Sequence, residues 1–270
     1  MIKDNDNLTP IHFSCHFAQF REGEQFVRIH ALSMIISGEV ELNDGENILR
    51  FRAGDMYLAN KDHLLKFIKY PPANGEYKSI TIYFDQPFLL DFSREYGYKA
   101  EEGAASSAFI SIADSLSLKS FMHSMLVYEE MQKDREVAGV LQLKLKEVLL
   151  LLLRYKSSLK DVLFDFSEPY RIDLKTYMEK NYHFNVQLER FAYLTGRSLS
   201  TFKRDFEKIF HQTPSRWLLH RRLKEAYELI TRQGKKASDI YLDLGFEDLS
   251  HFSFVFKKEF GMAPGRVGGI

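Results

Sequence analysis

The sequence predicts an α+β, multidomain chain: a β domain that ends in helices, then a separate all-α domain. Three observations carry this. Residues 11–88 break into short β-rich runs separated by turn residues at regular intervals. Residues 109–155 change to the three-and-four spacing of amphipathic helices. Residues 187–264 then use one helix-turn-helix grammar twice, on either side of a long stretch without Pro or Gly. At 270 residues and 45% hydrophobic content, the chain is long enough to bury two cores.

The β segment reads as strands at Ser33–Ser37, Gly38–Leu42, Ile48–Phe51, Met56–Ala59 and Ser79–Phe84, with turns at Asn43-Asp44-Gly45 and Ala53-Gly54-Asp55. Gly and Asn tolerate the positive φ that a hairpin turn requires. Strands this short and evenly spaced suggest a sandwich or small barrel. Phe51, Tyr57, Phe67, Tyr70, Tyr83 and Phe84 fit two readings, the lining of a small-molecule pocket or plain core. His12 and His16 share one strand face and Cys15 lies with Phe13 and Phe17 on the other, which reads as strand packing.

Ala104–Ser107 interrupts the β pattern and helices are expected from Phe109 to Gln132 and from Ala138 to Tyr155. The second carries Leu141, Leu145, Val148, Leu149 and Leu152 on one stripe. Leu143, Leu150, Leu151 and Leu153 widen the apolar surface most of the way round. A helix apolar on two sides needs two surfaces to bury against. One is its own β domain and the second is the same helix of another protomer, so those five residues are the expected homodimer contacts. Complete burial within one chain is the other reading. Ser157–Pro169 reads as a linker, because Pro169 stops helix propagation.

In the C-terminal part, Leu188, Phe191 and Ala192 share a helical face, Gly196 turns the chain, Ser198 caps the next helix, and Leu199, Phe202 and Phe206 form its buried stripe. Ser200, Thr201, Lys203 and Arg204 are left facing outward. The second unit repeats this: Ile240, Leu244 and Phe246 bury, Gly245 turns, Asp248 caps, and Phe252, Phe256 and Phe260 form the inner stripe before Gly261 and Pro264. Between the units, Ser215–Thr231 makes a rod of about 25 Å. Two outward helices on such a rod suit successive major grooves of double-stranded DNA, whose repeat is about 34 Å, with the duplex bent toward the protein. Net charge is zero overall, but Arg171–Ile270 carries 18 Lys and Arg against 12 Asp and Glu, and the remainder 19 against 25. A basic C-terminal part beside an acidic N-terminal part fits phosphate binding confined to one domain.

These residues resemble a bacterial transcription regulator of the AraC/XylS family. The resemblance runs from about Ile172 to Pro264 and includes Leu188, Ala192, Gly196, Ser198, Phe202, Phe206, Thr213-Pro214, Trp217, Arg222, Ala226, Ile240, Gly245-Phe246, His251-Phe252-Ser253, Phe256-Lys257-Lys258, Gly261 and Pro264. A looser resemblance, Gly38-Glu39, Asp44-Gly45 and Gly54-Asp55, points to a cupin-like β domain over Phe26–Tyr83. Together they imply a cupin-like effector domain at 1–105, a helical dimerisation segment at 106–158, a linker at 159–170 and a double helix-turn-helix DNA-binding domain at 171–267. By position, Ser200, Lys203 and Arg204, with Leu249, Ser250 and Phe254 on the second unit, would contact bases. Thr201, Arg222, Ser253, Lys257 and Lys258 would contact the DNA backbone, with Arg222 open to a structural ion-pair role instead.

The implied function is a cytoplasmic activator that engages RNA polymerase and responds to a small molecule or a protein partner. Trp217 with Arg221-Arg222 resembles the branch that controls type III secretion, whose effector is a protein. Three departures stand out: Phe254 where many members carry a polar or basic residue, Tyr241 where a small Ala is usual, and His211 where Gly is usual. Positive φ at His211 would carry a cost.

Rival readings are a cupin enzyme with an accessory helical domain and an adaptor that has lost DNA binding. Cupin metals are held by several His and a Glu, and here only His63 and His30 fall near such positions, with Ser33, Met34 and Ile35 on the central strand. No metal and no cofactor are therefore expected. The chain has no Gly-rich phosphate loop, G-x-S-x-G, H-E-x-x-H or CxxC, so no catalytic residues are assigned. Cys15 is the only cysteine, which suits a reducing compartment. The first ten residues lack the apolar core of a signal peptide. The longest apolar run, Val148–Leu153, is far below the roughly 18 residues a membrane span needs.

Overall fold

The computed structural model describes residues 10–21, 25–101, 107–131 and 137–267. The chain divides into two compact units, one of residues up to 167 and the other of residues 168 onward together with 23–26. In chain order, the elements through residue 163 are β1 (Ile11–His16), β2 (Phe20–Arg21), β3 (Phe26–Val27), β4 (His30–Ser37), β5 (Glu39–Asn43), β6 (Ile48–Arg52), β7 (Met56–Ala59), β8 (His63–Leu64), β9 (Lys66–Tyr70), β10 (Tyr77–Phe84), α1 (Gln86–Tyr96), β11 (Phe109–Ile112), α2 (Leu116–Ser124), α3 (Tyr128–Met131), α4 (Val137–Tyr155) and α5 (Lys160–Leu163).

The first unit holds two larger antiparallel sheets, one ordered β1-β10-β4-β7-β11 and the other β2-β9-β5-β6, and the short strands β3 and β8 pair separately. The five-stranded sheet is buried on both faces. Leu32, Met34, Leu58 and Ile80 of one face pack with Phe92, Phe121, Leu145 and Leu149 from the helices. Ala31, Ile35, Tyr57 and Ala59 of the other face pack with Val40, Leu42 and Phe51 from the second sheet. The layers are therefore sheet, sheet and helices. This explains why β4 is buried at six consecutive positions whereas β5, covered on one face, alternates. The turn at Asn43–Gly45 closes as its residues dictate: Gly45 N donates to Asn43 Oδ1 at 2.8 Å and Gly45 takes a φ of 93°.

Three sequence expectations need correction. Phe109–Ile112 is an edge strand paired with β7 (Phe109 opposite Ala59), not the start of a helix. A four-residue apolar run suits either state, and the open edge of β7 decides it. The interruption at Ala104–Ser107 falls mostly outside the described residues, as do the end of the helix expected to reach Gln132 and the first nine residues. The linker is shorter than 159–170, because Leu159, Leu163 and Phe164 are buried in the helical core of the first unit.

The third correction concerns α4. Leu141, Leu145, Val148, Leu149 and Leu152 are all buried against the sheet of their own chain, so none is presented to a second protomer. Among the described residues, the large apolar side chains α4 exposes are Val140, Leu143 and Leu150, of which Leu143 is 69% exposed. These three recur at i, i+3 and i+10 along one face. Leu145→Asp with Leu152→Asp is expected to unfold the first unit, since two carboxylates would enter a closed apolar core. Leu145→Ala alone should cost about 2–5 kcal/mol in urea unfolding, whereas Leu143→Asp should leave the midpoint nearly unchanged. A folded Leu145→Asp, Leu152→Asp protein whose only defect is a lower mass in sedimentation would contradict this placement.

Candidate nucleic-acid interface

The second unit contains α6 (Leu174–Asn181), α7 (Leu188–Leu194), α8 (Leu199–Phe210), α9 (Pro214–Gln233), α10 (Ala237–Ile240), α11 (Leu249–Phe260) and α12 (Pro264–Val267). The pairs α7–α8 and α10–α11 are the two helix-turn-helix units. Their turns depend on glycine for space as well as conformation. Gly196 has φ 64°, and a Cβ there would meet Tyr170 C at 2.5 Å and Arg171 N at 2.6 Å. Gly245 has φ 83°, and its Cβ would meet Arg222 Cζ at 2.8 Å and His183 O at 2.9 Å. Both approaches are too close for any side chain.

The two outward helices start alike. Ser198 Oγ accepts from Thr201 N at 3.3 Å, and Asp248 Oδ1 accepts from His251 N at 2.6 Å. On α8, Phe202 and Phe206 are fully buried and Ser200, Lys203 and Arg204 are exposed. Thr201 is half-buried, its Oγ1 accepting from Ser198 Oγ at 3.0 Å, so its hydroxyl belongs to the cap. On α11, Phe252 and Phe256 are buried while Leu249, Ser250 and Phe254 are exposed, Phe254 by 68%. Ser253 is half-buried and Lys257 and Lys258 are exposed in the last turn. At the end of α8, His211 adopts φ 54°, the strained conformation expected from a residue standing where Gly is usual.

The connecting helix α9 has 20 residues, hence about 30 Å of length rather than 25 Å. It grips each outward helix through one aromatic ring. Trp217 lies 5.5 Å from Phe206 and 4.6 Å from Phe210, and Tyr227 lies 6.3 Å from Phe256 and 4.7 Å from Phe260, centroid to centroid. Ten residues separate the two rings, about 15 Å along the axis.

Between these grips sits Arg222, and here the sequence expectation of a phosphate contact is corrected. Its Nε donates to Tyr182 O at 2.8 Å, Nη2 to Phe184 O at 2.8 Å and Nη1 to Gly245 O at 2.9 Å. Burial lowers its pKa to about 10, which still leaves it charged at neutral pH. The guanidinium is spent on three carbonyls, not on an ion pair or a phosphate. The signal was present in the sequence: Arg222 lies four residues from Leu218 and four from Ala226, on the buried stripe of α9. A charge on that stripe must find internal acceptors.

A second cluster went unremarked in the sequence. Asp205 Oδ2 accepts from Arg171 Nη2 at 2.6 Å and from Arg197 Nε at 3.2 Å, while Arg197 Nη1 donates to Ile172 O and Thr195 O. Burial acts to raise the Asp205 pKa, but hydrogen bonds and charge from Arg197 and Arg171 outweigh it and hold the carboxyl below its ordinary range. This ties the chain before α6 to the side of α8 and leaves Arg204, 65% exposed and 3.7 Å from Asp205 Oδ1, on the open face.

The second unit is thus a two-headed helix-turn-helix module built on one helix. Residues 191–268 match the family model described as a helix-turn-helix domain, and residues 30–163 match that of the ExsA N-terminal regulatory domain. The chain belongs to the AraC/XylS family. Over 126 residues it is 30% identical to the HTH-type transcriptional regulator ExsA of Pseudomonas aeruginosa, 46% of this chain and 45% of that one. Over 94 residues it is 31% identical to the virulence regulon transcriptional activator VirF of Yersinia enterocolitica, 35% of each. The match thus spans less than half the length of these relatives. The chain is also similar to a solved apo form of ToxT from Vibrio cholerae, 13% identical, with a TM-score of 0.46 over 97% of this chain and 98% of that one.

Arg222→Leu should destabilise the second unit by about 3 kcal/mol, because three buried carbonyls lose their donor at once. Arg222→Lys, which keeps the charge but not the fork, should recover only part of that. Thermal unfolding of the full chain checks both. Wild-type stability with weakened DNA binding in Arg222→Leu would instead return Arg222 to the phosphate-contacting set.

Proposed function

We propose that the chain is a sequence-specific transcription activator that inserts α8 and α11 into successive major grooves of double-stranded DNA. The observation that carries this reading is the pair of side-chain-capped helices, pinned by Trp217 and Tyr227 to one rod, with side chains facing outward that the core does not use. Ser200, Lys203 and Arg204 read base edges from α8, with Arg204 able to bond guanine O6 and N7 as a fork. Leu249, Ser250 and Phe254 read from α11, where Phe254 offers only an apolar contact to a thymine methyl. Lys257, Lys258 and Ser253 hold phosphates.

The first unit serves as the regulatory domain, answering a small molecule or a protein partner in the cytoplasm, and the activator engages RNA polymerase. Self-association runs through Val140, Leu143 and Leu150, the exposed apolar face of α4. Among the described residues no helix is long and apolar enough to cross a membrane.

A panel of single-base operator variants titrated at several salt concentrations tests the assignment. Arg204→Ala should cost about 1–3 kcal/mol at one matched base pair and relax specificity there. Phe254→Ala should cost less, mainly at a thymine. Lys257→Ala should weaken all variants alike and lower the salt slope by about one. Uniform weakening by Arg204→Ala together with broad relaxation by Phe254→Ala would reverse the roles of α8 and α11.

A further inference from the structure

Phe254 stands where packing gives no reason for an aromatic ring. At about 100° per residue it lies about 160° from both Phe252 and Phe256, the two fully buried rings of α11, and so marks the centre of the outward face. It is 68% exposed. Ser250, four residues before it, and Lys257, three residues after it, share that face and are exposed. Leu249, also exposed, adds apolar surface at the first turn. The two carboxylates just before the helix are engaged within the unit. Asp248 Oδ1 accepts from His251 N at 2.6 Å, and Glu247 Oε1 accepts from Asn185 Nδ2 at 3.1 Å.

In the major groove a base pair shows hydrogen-bond donors, acceptors and, on thymine, a C5-methyl group. The middle of this face has little with which to tell a donor from an acceptor. Phe254 and Leu249 carry no hydrogen-bonding side-chain group, and the hydroxyl of Ser250 can donate or accept. What the surface senses is the methyl group, which it can dehydrate. Lys257 supplies a charge that draws the same stripe toward the phosphates and seats the ring in the groove. Cytosine methylated at C5 holds its methyl at the same place as thymine. It differs from thymine in a donor and acceptor pattern that this face does not distinguish. We infer that α11 reads the C5-methyl of a pyrimidine rather than the identity of the base, so that 5-methylcytosine is accepted in place of thymine. Methylation of an operator cytosine then raises affinity with no change in the protein. This rests on the DNA-reading role proposed for the second unit, and adds a means of regulation at the same contact.

The test uses the full chain and a duplex that it selects from a random pool. Each thymine of that duplex is replaced in turn by uracil, which lacks only the methyl, and binding is followed by fluorescence anisotropy at constant salt. The thymine that meets Phe254 should lose about fourfold in affinity on this change, the value of one dehydrated methyl group. At that position a C·G pair should bind as weakly as U·A, and 5-methylcytosine opposite G should recover the affinity of T·A. In Phe254→Ala the thymine and uracil duplexes should bind alike, whereas Arg204→Ala, on the other helix, should keep the ratio between them. Circular dichroism on the same samples checks that both variants are folded. Three results overturn the inference: no thymine whose methyl matters, a methyl effect that persists in full in Phe254→Ala, or 5-methylcytosine binding no better than cytosine. In each of these the chain still binds DNA, so the reading of the second unit stands. A chain that retains no duplex from the pool sinks that reading and the inference with it.

Discussion

A guanidinium with three carbonyl partners is the constraint on which the second unit depends. The carbonyls come from places far apart in the chain: Tyr182 and Phe184 in the segment leading to the first helix-turn-helix, and Gly245 in the turn of the second. Each backbone carbonyl would otherwise be buried without a donor, a cost comparable to a lost hydrogen bond every time. Arg supplies three donors in one rigid plane, so satisfying the carbonyls also sets the angle at which the three segments meet. Gly245 must be glycine for the same reason, since any Cβ there would occupy the place of the guanidinium itself. The aromatic grips of Trp217 and Tyr227 then act at the two ends of a rod whose middle is already fixed.

This arrangement separates stability from recognition. The inward faces of α8 and α11 are phenylalanine stacks, Phe202-Phe206-Phe210 and Phe252-Phe256-Phe260, that fold the unit whatever lies outside. The outward faces carry no packing duty, so their side chains are free to be chosen for a ligand. The first unit uses a different economy. Its central sheet is covered on both faces, which leaves α4 one apolar side to bury and one to expose.

How much of this was legible follows from what each residue pattern encodes. Caps, turns and stripes are local, so Ser198, Asp248, Gly196, Gly245 and the phenylalanine spacing placed both helix-turn-helix units correctly. Strands with one covered face alternate, and β5 and its turn were readable. Features settled by long-range packing were not. Phe109–Ile112 becomes a strand because β7 has an open edge, and Leu159 and Phe164 leave the linker because a helical core lies within reach. The error at α4 was one of sides: the stripe with the stronger periodicity faces the sheet, and the weaker set is exposed. For Arg222 the sequence leaves a phosphate contact and a structural role both open, and its place on the buried stripe of α9 decides for the structural one, with carbonyls as partners.

The two outward faces are chemically unequal, and the inequality has a physical reading. Exposing Lys203 and Arg204 on α8 costs nothing in water. Exposing Phe254 by 68% leaves most of an aromatic ring hydrated, at a cost of roughly 25 cal/mol for each Å² of apolar surface that burial would have removed from water. A charged contact gains affinity mainly by releasing counterions and weakens as salt rises. An apolar contact gains by dehydration, is nearly indifferent to salt, and discriminates thymine from cytosine only through one methyl group. Under the proposed function, therefore, α8 supplies most of the base discrimination, while both helices supply attraction, α11 through Lys257 and Lys258. The second helix contributes a contact that persists when electrostatic attraction is screened. A module with both kinds of face on one rigid rod keeps its register on the duplex across a wider range of ionic strength than two basic faces would allow.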